Sequence, residues 1–122
     1  MHLSDAEWRV MSEVWRHPST TARDVHTALA AETEWAYSTV KTMMTRLVEK
    51  GALESVRDGK QNVFRAAIPQ EAARALATST LVERVFGGAP GGLFQHLLGG
   101  RKLSKKDLAT IQQLLAEQEK RR

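Results

Sequence analysis

The sequence of 122 residues contains no cysteine. This absence excludes disulfide frameworks, thiol nucleophiles and zinc sites that use thiolate ligands. The sequence also lacks an apolar run long enough to span a membrane. Its N-terminus has neither the positively charged region nor the apolar region of a signal peptide, so we expect a cytoplasmic protein.

Residue patterns typical of enzymes are missing as well. The glycine-rich segment 87–92 lacks the lysine and hydroxyl residue that complete a phosphate-binding loop. No serine stands in the sequence context of a nucleophile elbow. The four histidines share no metal-ligand spacing. The sequence therefore predicts a protein without catalytic activity, metal or cofactor.

Acidic residues are scarce in the middle of the chain. Residues 1–35 carry three Arg against six Asp and Glu, whereas residues 36–68 carry six Lys and Arg against three acids. Residues 69–122 carry nine bases and five acids, and the whole chain has a formal net charge of +4. This mild net charge permits an anionic partner and hides a basic stretch in the centre of the chain.

Apolar residues recur at helical spacing on both sides of a short alternating segment. Ser4 and Glu7 fit a capping box at the start of the first helix. Asp58-Gly59 is a hairpin-turn signal, and the segment 87–92 is expected to interrupt the helices. The predicted helices cover 4–16, 21–33, 37–50, 70–86, 93–98 and a last segment from 104, and the predicted strands cover 53–57 and 61–68.

The apolar stripes of the first three helices predict a core. Trp8 and Trp15 are expected to pack in this core rather than to stack on bases, while the sequence leaves the role of Trp35 open. The other expected inward residues are Met11, Val14, Val25, Ala28, Leu29, Val40, Met43, Met44 and Leu47.

Three helices followed by a hairpin within residues 1–68 predict a winged helix-turn-helix domain, in a chain that is mainly α-helical with one small β-hairpin. Residues 69–122 supply three amphipathic helices, and a segment of so few residues rarely supports a core of its own. We therefore expect a helical dimerisation domain whose apolar stripes are covered by a second copy of the chain. The residues expected in that interface are Leu81, Val85, Leu108, Ile111, Leu114 and Leu115.

The solvent face of the third helix predicts contact with double-stranded DNA. It combines hydroxyl groups with two bases and has no acid before Glu49, which suits a groove lined by phosphates. Wing bases would converge beside it, at Arg57, Lys60 and Arg65. Lys41, Arg46 and the wing bases would contact phosphates, and Ser38, Thr39 and Thr42 would contact base edges. The expected DNA-binding residues are Ser38, Thr39, Lys41, Thr42, Thr45, Arg46, Arg57 and Lys60.

The residue pattern alone leaves other interpretations of this face open. A polar helix face is often simply solvated. A winged-helix module can also use its third helix to bind another protein without any contact to DNA. A helical subunit associated with an enzyme is a third alternative, although it would need a cluster of active-site residues that the sequence does not contain.

Several motifs resemble the penicillinase-repressor family over nearly the whole chain. They are LSDAEWRVM at 3–11 with Val14-Trp15, YSTVKTMMTRL at 37–47 with Lys50-Gly51, Phe64, Phe86-Gly87-Gly88, and Leu103-Ser104. The resemblance implies a bacterial transcriptional repressor with a winged-helix N-terminal domain and a helical dimerisation domain. It also implies a homodimer that binds palindromic operators, including those of genes of the β-lactam-resistance type.

The resemblance also bears on how such a repressor is induced. In the β-lactam branch, a membrane-bound sensor protease triggers cleavage between Asn and Phe in the short fifth helix. The matching bond here joins His96 and Leu97, and neither residue fits that pair. The copper-responsive branch carries C-terminal cysteine pairs, which this chain lacks.

Overall fold

The computed structural model describes residues 1–122 and is mainly helical with one two-stranded antiparallel hairpin. The chain divides into two compact units, Met1–Thr78 and Ser79–Arg122. None of its helices combines the length and the apolar character needed to cross a membrane. The elements are α1 (Asp5–Val14), α2 (Ala22–Leu29), α3 (Tyr37–Glu49), β1 (Leu53–Asp58), β2 (Gln61–Ala66), α4 (Gln70–Phe86), α5 (Pro90–Gly99) and α6 (Lys105–Lys120).

Side-chain caps start three of these helices where the sequence predicts them. The Ser4 hydroxyl accepts a hydrogen bond from the Glu7 amide at 3.2 Å, and the Ser4 amide donates to Glu7 Oε1 at 2.9 Å. Thr21 and Ser104 accept amide hydrogen bonds in the same way at the starts of α2 and α6. These caps satisfy amide groups that have no partner within their own helix.

The core of the first unit lies between α1, α2, α3 and the hairpin. The whole predicted stripe of α3 is buried, and Trp8, Trp15 and Trp35 are half-buried against the core. Ala28 is exposed, so its expected inward position was wrong; Ala22 is buried instead. The residues 22, 25 and 29 form one line on α2, and Ala28 lies beside that line. The largest fully buried side chains are Met11, Met44, Leu47, Val10, Val14, Val25 and Val40.

The hairpin turn lies one residue further along the chain than the sequence suggests. Asp58 pairs with Gln61 at the end of the ladder, so Gly59 and Lys60 are the two turn residues. Gly59 has a φ of 63° and Lys60 has no positive φ, as expected for a turn with glycine at its first central position.

Thr20 pairs with the hairpin through an isolated antiparallel bridge to Phe64. Its amide donates to the Phe64 carbonyl at 2.8 Å, and the Phe64 amide donates to the Thr20 carbonyl at 2.7 Å. Beyond the hairpin, Trp15 Nε1 donates to the Ile68 carbonyl at 2.9 Å. The segment before α2 and the segment after β2 are therefore both attached to the core, which holds the wing in place.

The glycine-rich segment interrupts the helices over a shorter stretch than expected. Gly87 and Gly88 have φ values of 58° and 85° and end α4. The next helix then begins at Pro90 rather than at 93, because proline is well suited to the first turn of a helix. A Cβ atom at position 92 would lie 2.8 Å from Phe86 Cδ1, so a larger residue there would force the Phe86 ring to shift.

Candidate nucleic-acid interface

The exposed face of α3 carries all six of the residues that the sequence assigns to DNA binding on this helix. The opposite face is occupied by the buried stripe Val40, Met43, Met44 and Leu47, so the helix is anchored through one side only. No acid occurs in its first turn, and the first acid of the helix is Glu49. The exposed residues are Ser38, Thr39, Lys41, Thr42, Thr45 and Arg46.

The hydroxyl groups on this face are not equivalent. Thr45 Oγ1 donates to the Lys41 carbonyl at 3.1 Å, so its proton is already used within the helix. Its methyl group remains available for apolar contact with a thymine methyl. No such bond to the helix backbone occupies the hydroxyls of Ser38, Thr39 and Thr42, which leaves these groups free to donate to base edges or phosphates.

The wing bases do not all lie on one surface. Arg57 Nε donates to the Gly59 carbonyl at 3.1 Å, which holds the guanidinium at the turn next to the exposed Lys60. Arg65 instead pairs with Glu54 at 2.7 Å, and the strand register places this pair on the face opposite Arg57. The expected convergence of three wing bases was therefore wrong for Arg65, because its strand position directs the side chain to the other face, where it pairs with Glu54.

An ion pair connects the C-terminal end of α3 to the start of α1. Lys50 Nζ donates to Glu7 Oε1 at 2.6 Å and to the His2 carbonyl at 2.9 Å. Burial raises the pKa of Glu7, but the hydrogen bonds from Lys50 and Ser4 outweigh it and hold the pKa below its ordinary value. The sequence identified Glu7 only as a cap, because no local pattern shows that Lys50 lies beside it.

Aromatic contacts surround the N-terminal end of α3. The Arg23 guanidinium lies 5.3 Å from the centroid of the Tyr37 ring, and the centroid of the His26 ring is 6.0 Å from the same point, with the two ring planes at 72°. His26 Nε2 is 3.0 Å from the carbonyl oxygen of Trp35, which itself packs against the core. Sequence patterns did not identify Arg23 or Tyr37 as site residues. The local signal is the pair of aromatic residues at the start of the third helix, Trp35 just before it and Tyr37 as its first residue.

The residues assigned to dimerisation remain largely open to solvent in the single chain. Neither α5 nor α6 buries any residue, and α4 buries only Ala73. Ile111 is half-buried. The other five are 42% to 64% exposed: Leu81, Val85, Leu108, Leu114 and Leu115. The single chain therefore leaves these large apolar side chains accessible to solvent.

The bond between His96 and Leu97 lies inside α5. The His96 ring packs against Phe86 with its centroid 5.5 Å away, and Leu97 is 39% exposed. Because a protease needs an extended segment, cleavage here would require α5 to unfold locally. The structure contains no group of three or more His, Asp or Glu side chains that could hold a metal ion.

Comparison with known protein families identifies the chain. A family model described as penicillinase repressor matches residues 3–117. The chain belongs to the penicillinase repressor family. It is 28% identical to the penicillinase repressor of Bacillus licheniformis over 120 residues, which cover 98% of this chain and 94% of the relative. It is also 34% identical over 113 residues to an uncharacterized 16.5 kDa protein in the ptsI 3′ region of Latilactobacillus sakei, with 93% of this chain and 77% of the relative covered.

Solved structures agree with this family assignment. The DNA-binding domain of the repressor BlaI matches with a TM-score of 0.53 and 35% identity, covering 57% of this chain and 84% of that chain. The monomeric form of Bacillus licheniformis BlaI, in complex with the blaP half-operator, matches with a TM-score of 0.51 and 34% identity over 58% and 87% of the two chains.

A more distant match extends over most of the chain. The apo form of wild-type MarR from E. coli has a TM-score of 0.54 at 19% identity and covers 94% of this chain and 76% of that chain. At this identity the match concerns the fold alone. The family match and the BlaI structures confirm the predicted winged-helix fold. They also confirm the prediction that this family member is a DNA-binding repressor and not an enzyme.

Proposed function

We propose that this family member represses transcription by binding a palindromic operator as a homodimer, with α3 in the major groove and the wing on the phosphate backbone. The observation that supports this proposal is the exposed face of α3, which carries no acid before Glu49 and lies opposite a buried apolar stripe. A related BlaI chain, 34% identical, was solved in complex with a half-operator. Because the target is DNA, we place the repressor in the cytoplasm.

The proposed contacts divide by chemistry. Lys41 and Arg46 on α3 and Arg57 and Lys60 on the wing contact phosphates, since bases supply the sequence-independent part of binding. Ser38, Thr39 and Thr42 contact base edges through their hydroxyl and methyl groups. Thr45 contributes its methyl group, because its hydroxyl already donates to Lys41.

Operator binding can be tested by footprinting the full chain on its own upstream region and measuring the affinity of variants for the protected duplex. Thr42→Ala should weaken operator binding by about 1–3 kcal/mol and leave binding to unrelated DNA unchanged. Arg46→Ala should weaken both. The matched control is Arg9→Ala, which removes an exposed arginine from α1.

An unchanged operator affinity in both α3 variants would remove this helix from the interface. Absence of any DNA binding by the wild-type chain would favour the alternative, in which the exposed face of α3 binds another protein. Salt dependence separates these alternatives, since neutralisation of several phosphates makes DNA affinity fall steeply as the salt concentration rises.

We further propose that residues 1–68 form the DNA-binding domain and residues 69–122 the dimerisation domain. The support is the set of leucines on α4 and α6 that the single chain leaves exposed. A two-fold dimer would cover them and present two α3 helices to one duplex, with half-sites about 10 bp or a multiple of 10 bp apart. We propose that the regulated genes are of the β-lactam-resistance type, by analogy with the penicillinase repressor of Bacillus licheniformis.

Sedimentation of the full chain tests the dimer. Leu114→Glu should shift the chain to a monomer and lower operator affinity by a factor on the order of 10² through the lost tether. Ala109→Glu adds the same charge on the opposite side of α6 and should leave the dimer intact. A wild-type chain that is monomeric at micromolar concentration would contradict the proposal.

Induction by a membrane-bound sensor protease would involve the bond between His96 and Leu97. This bond is inside a helix and lacks the residue pair of the β-lactam branch. Mass spectrometry of the chain after exposure of producing cells to a β-lactam tests this partner directly. A fragment ending at His96 would establish cleavage at this bond, and an intact chain released from the operator would assign induction to another signal.

A further inference from the structure

Arg23 occupies a position in α2 at which an arginine does not stabilise the helix. It stands in the first turn, at the positive end of the helix dipole, where a cation is unfavourable. It belongs to none of the ion pairs in the structure, although its side chain is exposed. A surface arginine with no carboxylate partner keeps its full charge for an external anion.

The guanidinium is nevertheless held in a defined place. It lies over the Tyr37 ring, 5.3 Å from the centroid. Tyr37 packs in turn against the His26 ring, whose Nε2 is 3.0 Å from the Trp35 carbonyl oxygen. Trp35 packs against the core. Stacking leaves the N–H groups at the edge of the guanidinium free, and it reduces the rotamer entropy lost when these groups bind a ligand.

Tyr37 also sets the position of Arg23 relative to the exposed face of α3. Tyr37 is the first residue of this helix and precedes Lys41 by four residues, so the two side chains lie on the same side, one turn apart. Arg23 therefore extends the basic edge of the face from Lys41 toward α2. In helix-turn-helix proteins the helix before the recognition helix crosses the DNA backbone.

We propose that Arg23, held by Tyr37, binds a backbone phosphate of the DNA through the free N–H groups of its guanidinium, and that Tyr37 is the positioning residue for this contact. The planar guanidinium can donate two parallel hydrogen bonds to a phosphate, which an ammonium group cannot do. This inference rests on the proposed DNA-binding function and adds a contact from α2 to those of α3 and the wing.

The test measures the affinity of the full chain for a fluorescent duplex of about 30 bp, roughly three helical turns, across a range of salt concentrations. Arg23→Ala should weaken binding about tenfold and lower the slope of log K against log salt by about 0.9, the value for one phosphate. Arg9→Ala removes an exposed arginine from α1, in a groove beside the C-terminal end of α2 that Tyr37 does not line, and should change neither quantity.

Variants of Tyr37 separate positioning from charge. Tyr37→Leu keeps the charge of Arg23, so the salt slope should stay unchanged while affinity falls roughly two- to fivefold. Tyr37→Phe keeps an aromatic face and should restore wild-type affinity. Arg23→Lys should retain the slope but bind less tightly than the wild type, because lysine lacks the bidentate donor geometry. Equal thermal midpoints of the variants would show that the fold is unaffected.

The outcomes distinguish this inference from the proposed function. If the wild-type chain binds DNA and Arg23→Ala has the same affinity and slope as Arg9→Ala, Arg23 is not a phosphate contact and the inference is wrong. If Tyr37→Leu binds as tightly as the wild type, the positioning role of Tyr37 is wrong. If the wild-type chain binds no duplex at any salt concentration, the proposed function itself fails.

Discussion

Replacing Lys50 with methionine would remove the ammonium that faces the buried carboxylate of Glu7. The Glu7 side chain is 7% exposed, and Lys50 Nζ is 2.6 Å from its Oε1 atom. The Ser4 amide would remain as a donor at 2.9 Å, but no positive charge would be left at this position. The same change would release the C-terminal end of α3 from the His2 carbonyl.

The expected loss of stability follows from the burial of the two partners. Removing one partner from a fully buried pair costs about 3–5 kcal/mol. The Lys50 side chain is 36% exposed, so water can replace part of its interaction with Glu7. We therefore expect Lys50→Met to cost about 2 kcal/mol, between the values for surface pairs and buried pairs. For a unit of the size of Met1–Thr78, a loss of this magnitude should lower the thermal midpoint by roughly 8–16 °C.

The pH dependence gives this prediction a definite sign. The pKa of Glu7 in the folded chain is below its ordinary value of 4.5, so its contribution to stability is present above this pH. That contribution is lost as the pH falls through the lower pKa of the folded state. In Lys50→Met, the hydrogen bond and the charge of Lys50 no longer oppose the effect of burial, so the pKa of Glu7 rises. The difference in stability between wild type and variant should therefore be largest near neutral pH and shrink in acid.

Thermal unfolding at fixed chain concentration, followed by circular dichroism at several pH values, measures both effects. Lys41→Met is the matched control, since Lys41 is exposed on the same helix and forms no ion pair. Its midpoint should stay close to that of the wild type. A Lys50→Met midpoint equal to that of Lys41→Met, or a difference that grows in acid, would refute the reasoning.

Three further predictions concern the core, the wing and the segment after β2. Met44→Ala should destabilise the chain by about 2–5 kcal/mol in thermal or urea unfolding, because the side chain is fully buried between α3 and its neighbours; a loss under about 1 kcal/mol would contradict this. Lys60→Ala should lower the salt slope of DNA binding by about one unit if the wing contacts a phosphate, and an unchanged slope would make Lys60 a solvated residue. Trp15→Phe should cost about 1 kcal/mol through the lost hydrogen bond to Ile68, and equal unfolding midpoints would show that this bond contributes nothing.

Local residue patterns account for most of the secondary structure. The caps at Ser4 and Thr21 satisfy amides within the same helix turn, so neighbouring residues alone determine where α1 and α2 begin. The stripe of α3 follows from helical periodicity, and the same periodicity places its hydroxyls and bases on the solvent side. The exposed face of the candidate interface was predictable for this reason.

The tertiary structure decided which distant residues meet. Glu7 and Lys50 are 43 positions apart, and no periodic pattern connects them. The ion pair between Arg65 and Glu54 and the stacking of Arg23 on Tyr37 likewise depend on strand register and helix packing. Through-space contacts of this kind decide which bases keep their charge for DNA, because a base beside a carboxylate is compensated whereas one beside an aromatic ring is not.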